Sequence, residues 1–186
     1  MLSEYKMTLQ PITIENADDK AKPVLDKALK EVGFIPNMYT NMVHSPALLE
    51  NYLHGYSAFR SKSGFTPEEQ EVIFLTISHE NNCHYCMAAH SMLADKYSGV
   101  SKETTEAIKV NQQISDPKLE QLSRFSRSLV KTRGLPTSDD VSNFINAGYT
   151  EKHILDIILA IAIKTLSNYS NHIFHTPVDE MFSEYE

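Results

Sequence analysis

The chain has 186 residues, 41% of them hydrophobic and 22% charged, with six glycines and no tryptophan. Such a composition belongs to one ordinary globular domain and excludes a disordered or low-complexity chain. The formal net charge of −7 argues against a general nucleic-acid binder, which needs a basic face.

The opening residues, Met1 to Lys6, carry no apolar core of the secretory-signal type. The longest apolar run, Ile154 to Leu166, is interrupted by Asp156 and Lys164 and is too short to span a bilayer. A cytoplasmic protein without a membrane partner is expected. In a reducing compartment two cysteines point to catalysis or sensing rather than to a structural staple.

In chain order, residues 1–18 form an extended lead-in and 19–186 a single helical domain. Asp18 or Asp19 caps a helix from about Lys20 to Val32, stopped by Gly33, with Val24, Leu25, Ala28, Leu29 and Val32 as its apolar stripe. Pro36 opens a short helix carrying Met38, Tyr39 and Met42. Ser45-Pro46 places a cap before a proline at the first helical position. That helix presents Leu48, Leu49, Tyr52, Leu53, Tyr56 and Phe59. Thr66-Pro67-Glu68-Glu69 starts the next helix, which becomes apolar nearly all round from Val72 to Ile77, as a buried helix does. Glu71 on it is therefore a candidate buried carboxylate, in need of a partner.

Asn81-Asn82 interrupts that helix, and either Asn is expected to cap a new one with Cys83 in its first turn. Both cysteines of the chain follow, in Cys83-His84-Tyr85-Cys86, with His90 four residues on. Cys86 and His90 share a helical face, so an imidazole beside the second thiol is placed to take its proton. Glu71 is the candidate orienter of that imidazole, giving a thiol–His–carboxylate order. His79 and Tyr85 are candidate pocket residues. His79, Cys83, Cys86 and His90 also make a set of metal-ligand types, but four ligands on one straight helical face cannot easily surround an ion.

Further on, Ser98-Gly99 stops the cysteine helix and a short helix runs through Ile108. Asp116-Pro117 opens a longer one whose cations Arg124, Arg127, Lys131 and Arg133 read as a solvated face. A helix follows Thr137, and the last long one begins near Thr150. Its block from Asp156 echoes the cysteine block at an offset of 85, with Asp156 on Glu71, Asn168 on Cys83, Asn171 on Cys86 and His175 on His90. The catalytic half would span about 45–100 and a candidate decayed copy about 130–175. Asn171 and His175 are then expected on the far side of the same pocket. The tail, with Phe182 and Tyr185, docks on the surface or on a neighbouring subunit. There is no alternating strand pattern and no glycine-rich phosphate loop, so the expectation is an all-α fold of about eight to ten helices.

The spacing Glu-x11-Cys-x2-Cys-x3-His, carried by Glu71, Cys83, Cys86 and His90, resembles the AhpD-like alkylhydroperoxidases of the carboxymuconolactone decarboxylase superfamily. Phe34-Ile35-Pro36-Asn37, Ser45-Pro46 and Pro177-Val178-Asp179 resemble its peroxidase-related branch, and the resemblance covers about residues 30 to 182. One position departs: where related enzymes carry a second His directly before the second Cys, this chain has Tyr85, and its nearest His is His84. The resemblance implies an AhpD-like bundle of two related halves and a trimer-based homo-oligomer, for which the Met- and aromatic-rich stretch 38–59 is the candidate interface. It also implies a thiol-dependent peroxidase or disulfide oxidoreductase that needs no cofactor and no metal. Cys86 would be peroxidatic, Cys83 resolving, His90 the proton relay and Glu71 its base or orienter. The substrate would be a hydroperoxide and the reductant a dithiol on a lipoylated protein, with a peroxiredoxin downstream. A non-redox lactone decarboxylase, a redox sensor and a metal-binding module are the competing readings.

Overall fold

The computed structural model describes residues 3–186. Met1 and Leu2, on which part of the lead-in and signal-peptide readings fall, lie outside the described residues. Among the described residues the protein is all-helical, with nine α-helices and no strand. They are α1 (Ala21–Val32), α2 (Asn37–Met42), α3 (Pro46–Lys62), α4 (Pro67–Glu80), α5 (His84–Leu93), α6 (Lys102–Lys109), α7 (Pro117–Thr132), α8 (Ser138–Asn146) and α9 (Glu151–Phe174). One π turn, Ala94–Ser98, extends α5, and a 3-10 turn, Glu180–Tyr185, ends the chain.

The helix boundaries follow local chemistry. Asp18 Oδ1 accepts the backbone N–H groups of Lys20 and Ala21 at 3.0 and 2.8 Å and starts α1. Gly33, at φ 88°, ends it in the left-handed conformation that costs glycine nothing. Thr66 and Glu69 close a reciprocal capping box on α4, and Thr137 and Asp140 do the same for α8. Asp116 caps α7 by accepting from Lys118 and Leu119. Ser45 stands at the start of α3 without a side-chain cap bond, so there the proline alone supplies the start signal.

Helix α4 is the hub. Every residue from Glu69 to Ser78 is buried, and the helix packs against α5, α6, α7 and α9. A helix apolar all round can be stable only when surrounded, and each fully buried Phe or Ile on it contributes about 1.5–3 kcal/mol. Helix α9 lies across α3 and α4, which brings the second half of the chain onto the thiol-bearing segment.

Three expectations need correction. The α1 stripe is narrower than its spacing suggests: Leu29 and Val32 are 38% and 41% exposed, because the buried face of α1 is only Ala21, Val24, Leu25 and Ala28. The apolar face of 38–59 is not a free surface, since Met38, Tyr39, Met42, Leu49, Tyr52, Leu53 and Phe59 are all buried within the chain. The α7 cations are not uniformly solvated. Arg127 Nε and Lys131 Nζ reach the buried Glu80 carboxylate at 2.7 and 3.3 Å and tie α7 to the end of α4. The tail docks on α5 of its own chain, burying Phe182.

Candidate active site

The site begins with the break between α4 and α5. Asn81 closes α4, and Asn82 turns the chain at φ 55°, a left-handed conformation that Asn tolerates better than most residues. Neither Asn caps α5. Asn81 instead donates its side chain to Asn168 Oδ1 at 2.9 Å, and Cys83 itself occupies the N-cap position, with its N–H on Ser78 O at 2.9 Å. Cys86, rather than Cys83, therefore stands in the first turn of α5, where unpaired N–H groups and the helix dipole favour a thiolate. Both thiols are free and buried, at 1% and 2% exposure.

Four side chains of α9 face the thiols or the break that carries them. Asn171 Nδ2 lies 3.4 Å from Cys86 Sγ and 3.8 Å from Cys83 Sγ, so one amide touches both sulfurs. The Ser167 hydroxyl lies 3.9 Å from Cys86 Sγ. Asn168 holds Asn81 and so holds the break. Lys164 is 1% exposed, and its ammonium sits 5.5 Å from the centre of the Phe74 ring with no hydrogen-bond partner.

A chain of polar groups approaches from α3 and α4. His90 Nδ1 meets Glu71 Oε2 at 2.8 Å. The other oxygen of Glu71 accepts from Arg60, which also donates to the Tyr56 hydroxyl at 2.7 Å and stacks over the Tyr56 and Phe74 rings. The structure thus brings Glu71, His90, Cys83, Cys86 and Asn171 into one cluster. His175 stays outside it. His79 ends α4 beside Glu80 and lines the hollow on the Cys83 side, away from His90. His175 terminates α9 at φ 52° and is bonded to Ser3 O at 2.7 Å, so it points to the amino-terminal segment and not to the thiols. Tyr85 bonds the Asp179 carboxylate, which in turn accepts the Asn37 N–H at 3.0 Å, and this fastens the tail over α5.

Two separate hollows flank the cysteine pair. A cavity of about 160 Å³ is lined by Cys86, His90, Lys164 and the rings of Tyr39, Tyr52 and Tyr56. On the other side a cleft of about 360 Å³ is lined by Cys83, His79, His84, Met87, Lys109 and Tyr185. No residue lines both.

With this geometry in place, likeness to known proteins has a footing. Residues 46–130 match the carboxymuconolactone decarboxylase family. Over that segment, a little under half of its length, the chain is similar to the family. No curated protein matches it by sequence. Among solved structures it is similar to the AhpD core of an uncharacterized peroxidase-related protein from Ralstonia eutropha JMP134, with 21% identity, TM-score 0.80, and 94% and 93% of the two chains covered. An uncharacterized peroxidase-related protein from Silicibacter sp. TM1040 matches at 17% identity and TM-score 0.76, covering 97% and 95%. The debrominase Bmp8, as a cysteine-to-alanine variant in complex with 2,3,4-tribromopyrrole, matches at 16% identity and TM-score 0.78, covering 97% and 96%. At these identities the likeness is one of fold.

The superfamily match ends before α9, and so before the residues that set the charge of the site. Burial is the largest influence on the Cys86 thiol and pushes it up. The hydrogen bond of the Cys83 thiol, the Lys164 ammonium and the His90 ring outweigh it and hold Cys86 well below the usual thiol range. Cys83 goes the other way, raised first by its hydrogen bond to Cys86 and then by burial. His90 is lowered, by burial first and by Lys164 second, against the pull of Glu71. Burial raises Glu71, but His90 and Arg60 together bring it below the usual carboxylate value. The Glu71-bonded His90 ring and the Lys164 side chain thus both stand on the Cys86 side of the pair. Sequence reading missed Lys164, Ser167 and Arg60. The available signal was a polar stripe at 164, 167, 168 and 171, the i, i+3, i+4, i+7 pattern of one helical face, on an otherwise apolar helix.

Proposed function

We propose that this protein belongs to the AhpD-like carboxymuconolactone decarboxylase superfamily and is a thiol-dependent peroxidase, reducing an organic hydroperoxide at Cys86 and cycling through a Cys83–Cys86 disulfide. The observation that carries the reading is the pair of free buried thiols one turn apart, with a buried ammonium and a carboxylate-held imidazole beside only the second. His90 accepts the Cys86 proton while Glu71 fixes its ring. The Cys86 thiolate attacks the terminal peroxide oxygen, the O–O bond breaks, and the departing alkoxide takes the proton from His90 to leave as an alcohol. Cys86 is then a sulfenic acid. Cys83 attacks that sulfur, a disulfide forms and water leaves. An external dithiol, for which a lipoylated carrier protein is our candidate, returns both thiols and leaves as its own disulfide. That chemistry suits a reducing compartment. No helix among the described residues is long and apolar enough to cross a membrane. A homo-oligomer is part of the same proposal, and light scattering would check it.

A second reading is favoured by the shape of the cavity. Its three tyrosine rings enclose a volume suited to a small flat molecule, and Bmp8, similar in fold, is a debrominase crystallised with a bromopyrrole. In that reading an aryl halide and the two thiols give the arene, a hydrogen halide and the disulfide. One experiment separates the two. The anaerobically reduced protein is mixed with one equivalent of cumene hydroperoxide or of a tribromopyrrole, and free thiols and bromide are counted. Rapid loss of two thiols with the hydroperoxide supports the peroxidase. Thiol loss only with the halide, with bromide released, supports the dehalogenase. Thiols that survive both reagents exclude both readings.

A further inference from the structure

We infer that the disulfide is reduced from the opposite face to the one on which it forms, by a thiolate that enters the cleft and attacks Cys83. The inference rests on the disulfide cycle proposed above and adds where the electron donor docks.

Three observations support it. The two sulfurs belong to different hollows: Cys86 lines the tyrosine cavity, Cys83 lines the cleft, and the two linings share no residue. The cleft is the larger, at about 360 Å³ against about 160 Å³, as a dithiol borne on an arm would require. Thiol–disulfide exchange is an in-line displacement, and the sulfur that makes the better thiolate leaves faster. Lys164 and Asn171 stand beside Cys86 to receive the departing charge. Among the described residues the one Lys or Arg lining the cleft is Lys109, which pairs with Glu106 at 3.2 Å. Attack on Cys83 therefore sends the electron pair to the side already built for it. Attack on Cys86 would require the donor to occupy the substrate cavity and would expel a thiolate at Cys83, on the side that Lys164 does not line.

In balanced form, the donor's first thiolate bonds to Cys83 Sγ, the Cys83–Cys86 bond breaks, and Cys86 leaves as a thiolate. The donor's second thiolate then attacks the donor sulfur of this mixed disulfide. The donor closes into its own disulfide, and Cys83 departs and takes up a proton.

The test uses the wild-type protein oxidised with diamide, so that it does not depend on peroxide reactivity. The disulfide form is mixed with 2-mercaptoethanol, quenched in acid at early times, and the adduct is mapped by peptide mass. The expected adduct is on Cys83 with Cys86 free; an adduct on Cys86 would overturn the inference while leaving the disulfide cycle intact. If diamide closes no Cys83–Cys86 disulfide, the cycle and the inference fall together. As a second measurement, Met87→Trp fills the cleft and should slow reduction of the disulfide by dithiothreitol by about tenfold, through access alone. An unchanged rate of reduction would equally overturn it.

Discussion

Helices α4 and α9 both carry long apolar runs, and they reach the thiols by opposite means. Helix α4 breaks. Asn81-Asn82 turns the chain, a new helix starts at Cys83, and Cys86 gains the first-turn position. At the equivalent offset α9 carries Leu166-Ser167, where Ser167 bonds back to Ile163 O and Lys164 O at 3.3 Å and the helix runs on to Phe174. Being unbroken, α9 keeps Lys164, Ser167, Asn168 and Asn171 in one row. In the proposed mechanism the broken segment supplies the reactive atoms, and the continuous one supplies the charge and the donors that make one of those atoms the better thiolate. The echo between the halves is only partly functional. Asn168 and Asn171 reach the site, whereas Asp156 caps nothing there and instead accepts the Gly64 N–H at 3.3 Å.

This division can be broken from either side. Cys86→Ser should abolish hydroperoxide turnover, and Cys83→Ser should leave a single stoichiometric burst that ends in a sulfenic acid; trapping with a dimedone reagent checks both. Glu71→Gln should lower stability by about 3–5 kcal/mol, because Arg60 keeps a half-buried charge without its carboxylate, and urea denaturation would measure it. Lys164→Met separates function from stability. It removes the fixed charge and should slow Cys86 alkylation at neutral pH by about tenfold. It also takes the cation away from a buried thiolate, so stability should fall where Cys86 is ionised and hold where the thiol is protonated. A loss of stability that does not change with pH would show that Lys164 is structural.

The pH dependence of stability should carry the same signature. A thiol lowered in the folded state contributes stability that is fully present above its unfolded value, near the ordinary 9.0, and is lost as pH falls through the folded value. The reduced wild type should therefore gain stability as pH rises from neutral towards 9.0, and Cys86→Ser should lack that gain. The smallest effects are expected at the break. Asn82→Gly should change stability by no more than about 0.5 kcal/mol, whereas Asn82→Val should cost about 1–2 kcal/mol for a β-branched residue in a left-handed conformation.

Much of this was legible in the sequence. Caps and prolines marked nearly every helix start, and the all-round apolar stretch of α4 identified its buried position. Spacing put Cys86 and His90 on one helical face, and the family resemblance added Glu71 to them. What was not legible depended on tertiary contact. Asn82 signalled a break, but nothing local showed that Asn81 would bond Asn168 and leave Cys83 as the cap residue. His175 stands where the echo asks for it in sequence, yet the end of α9 turns it towards Ser3. Nothing local in 38–59 identifies what covers its methionines and tyrosines; the contact of α9 with α2 and α3 does so within the chain. Lys164 read as an interruption of an apolar run, because its meaning comes from a sulfur 78 positions earlier in the chain.

The central claim is that α9 makes Cys86, and not Cys83, the reactive thiol. The most direct test is the pH dependence of iodoacetamide alkylation, read separately at each cysteine by peptide mass in the reduced wild type and in Lys164→Met. The account predicts that Cys86 is labelled first, with a midpoint below the ordinary 9.0 that moves up when Lys164 is replaced. Labelling of Cys83 first, or a Cys86 midpoint indifferent to Lys164, would contradict it.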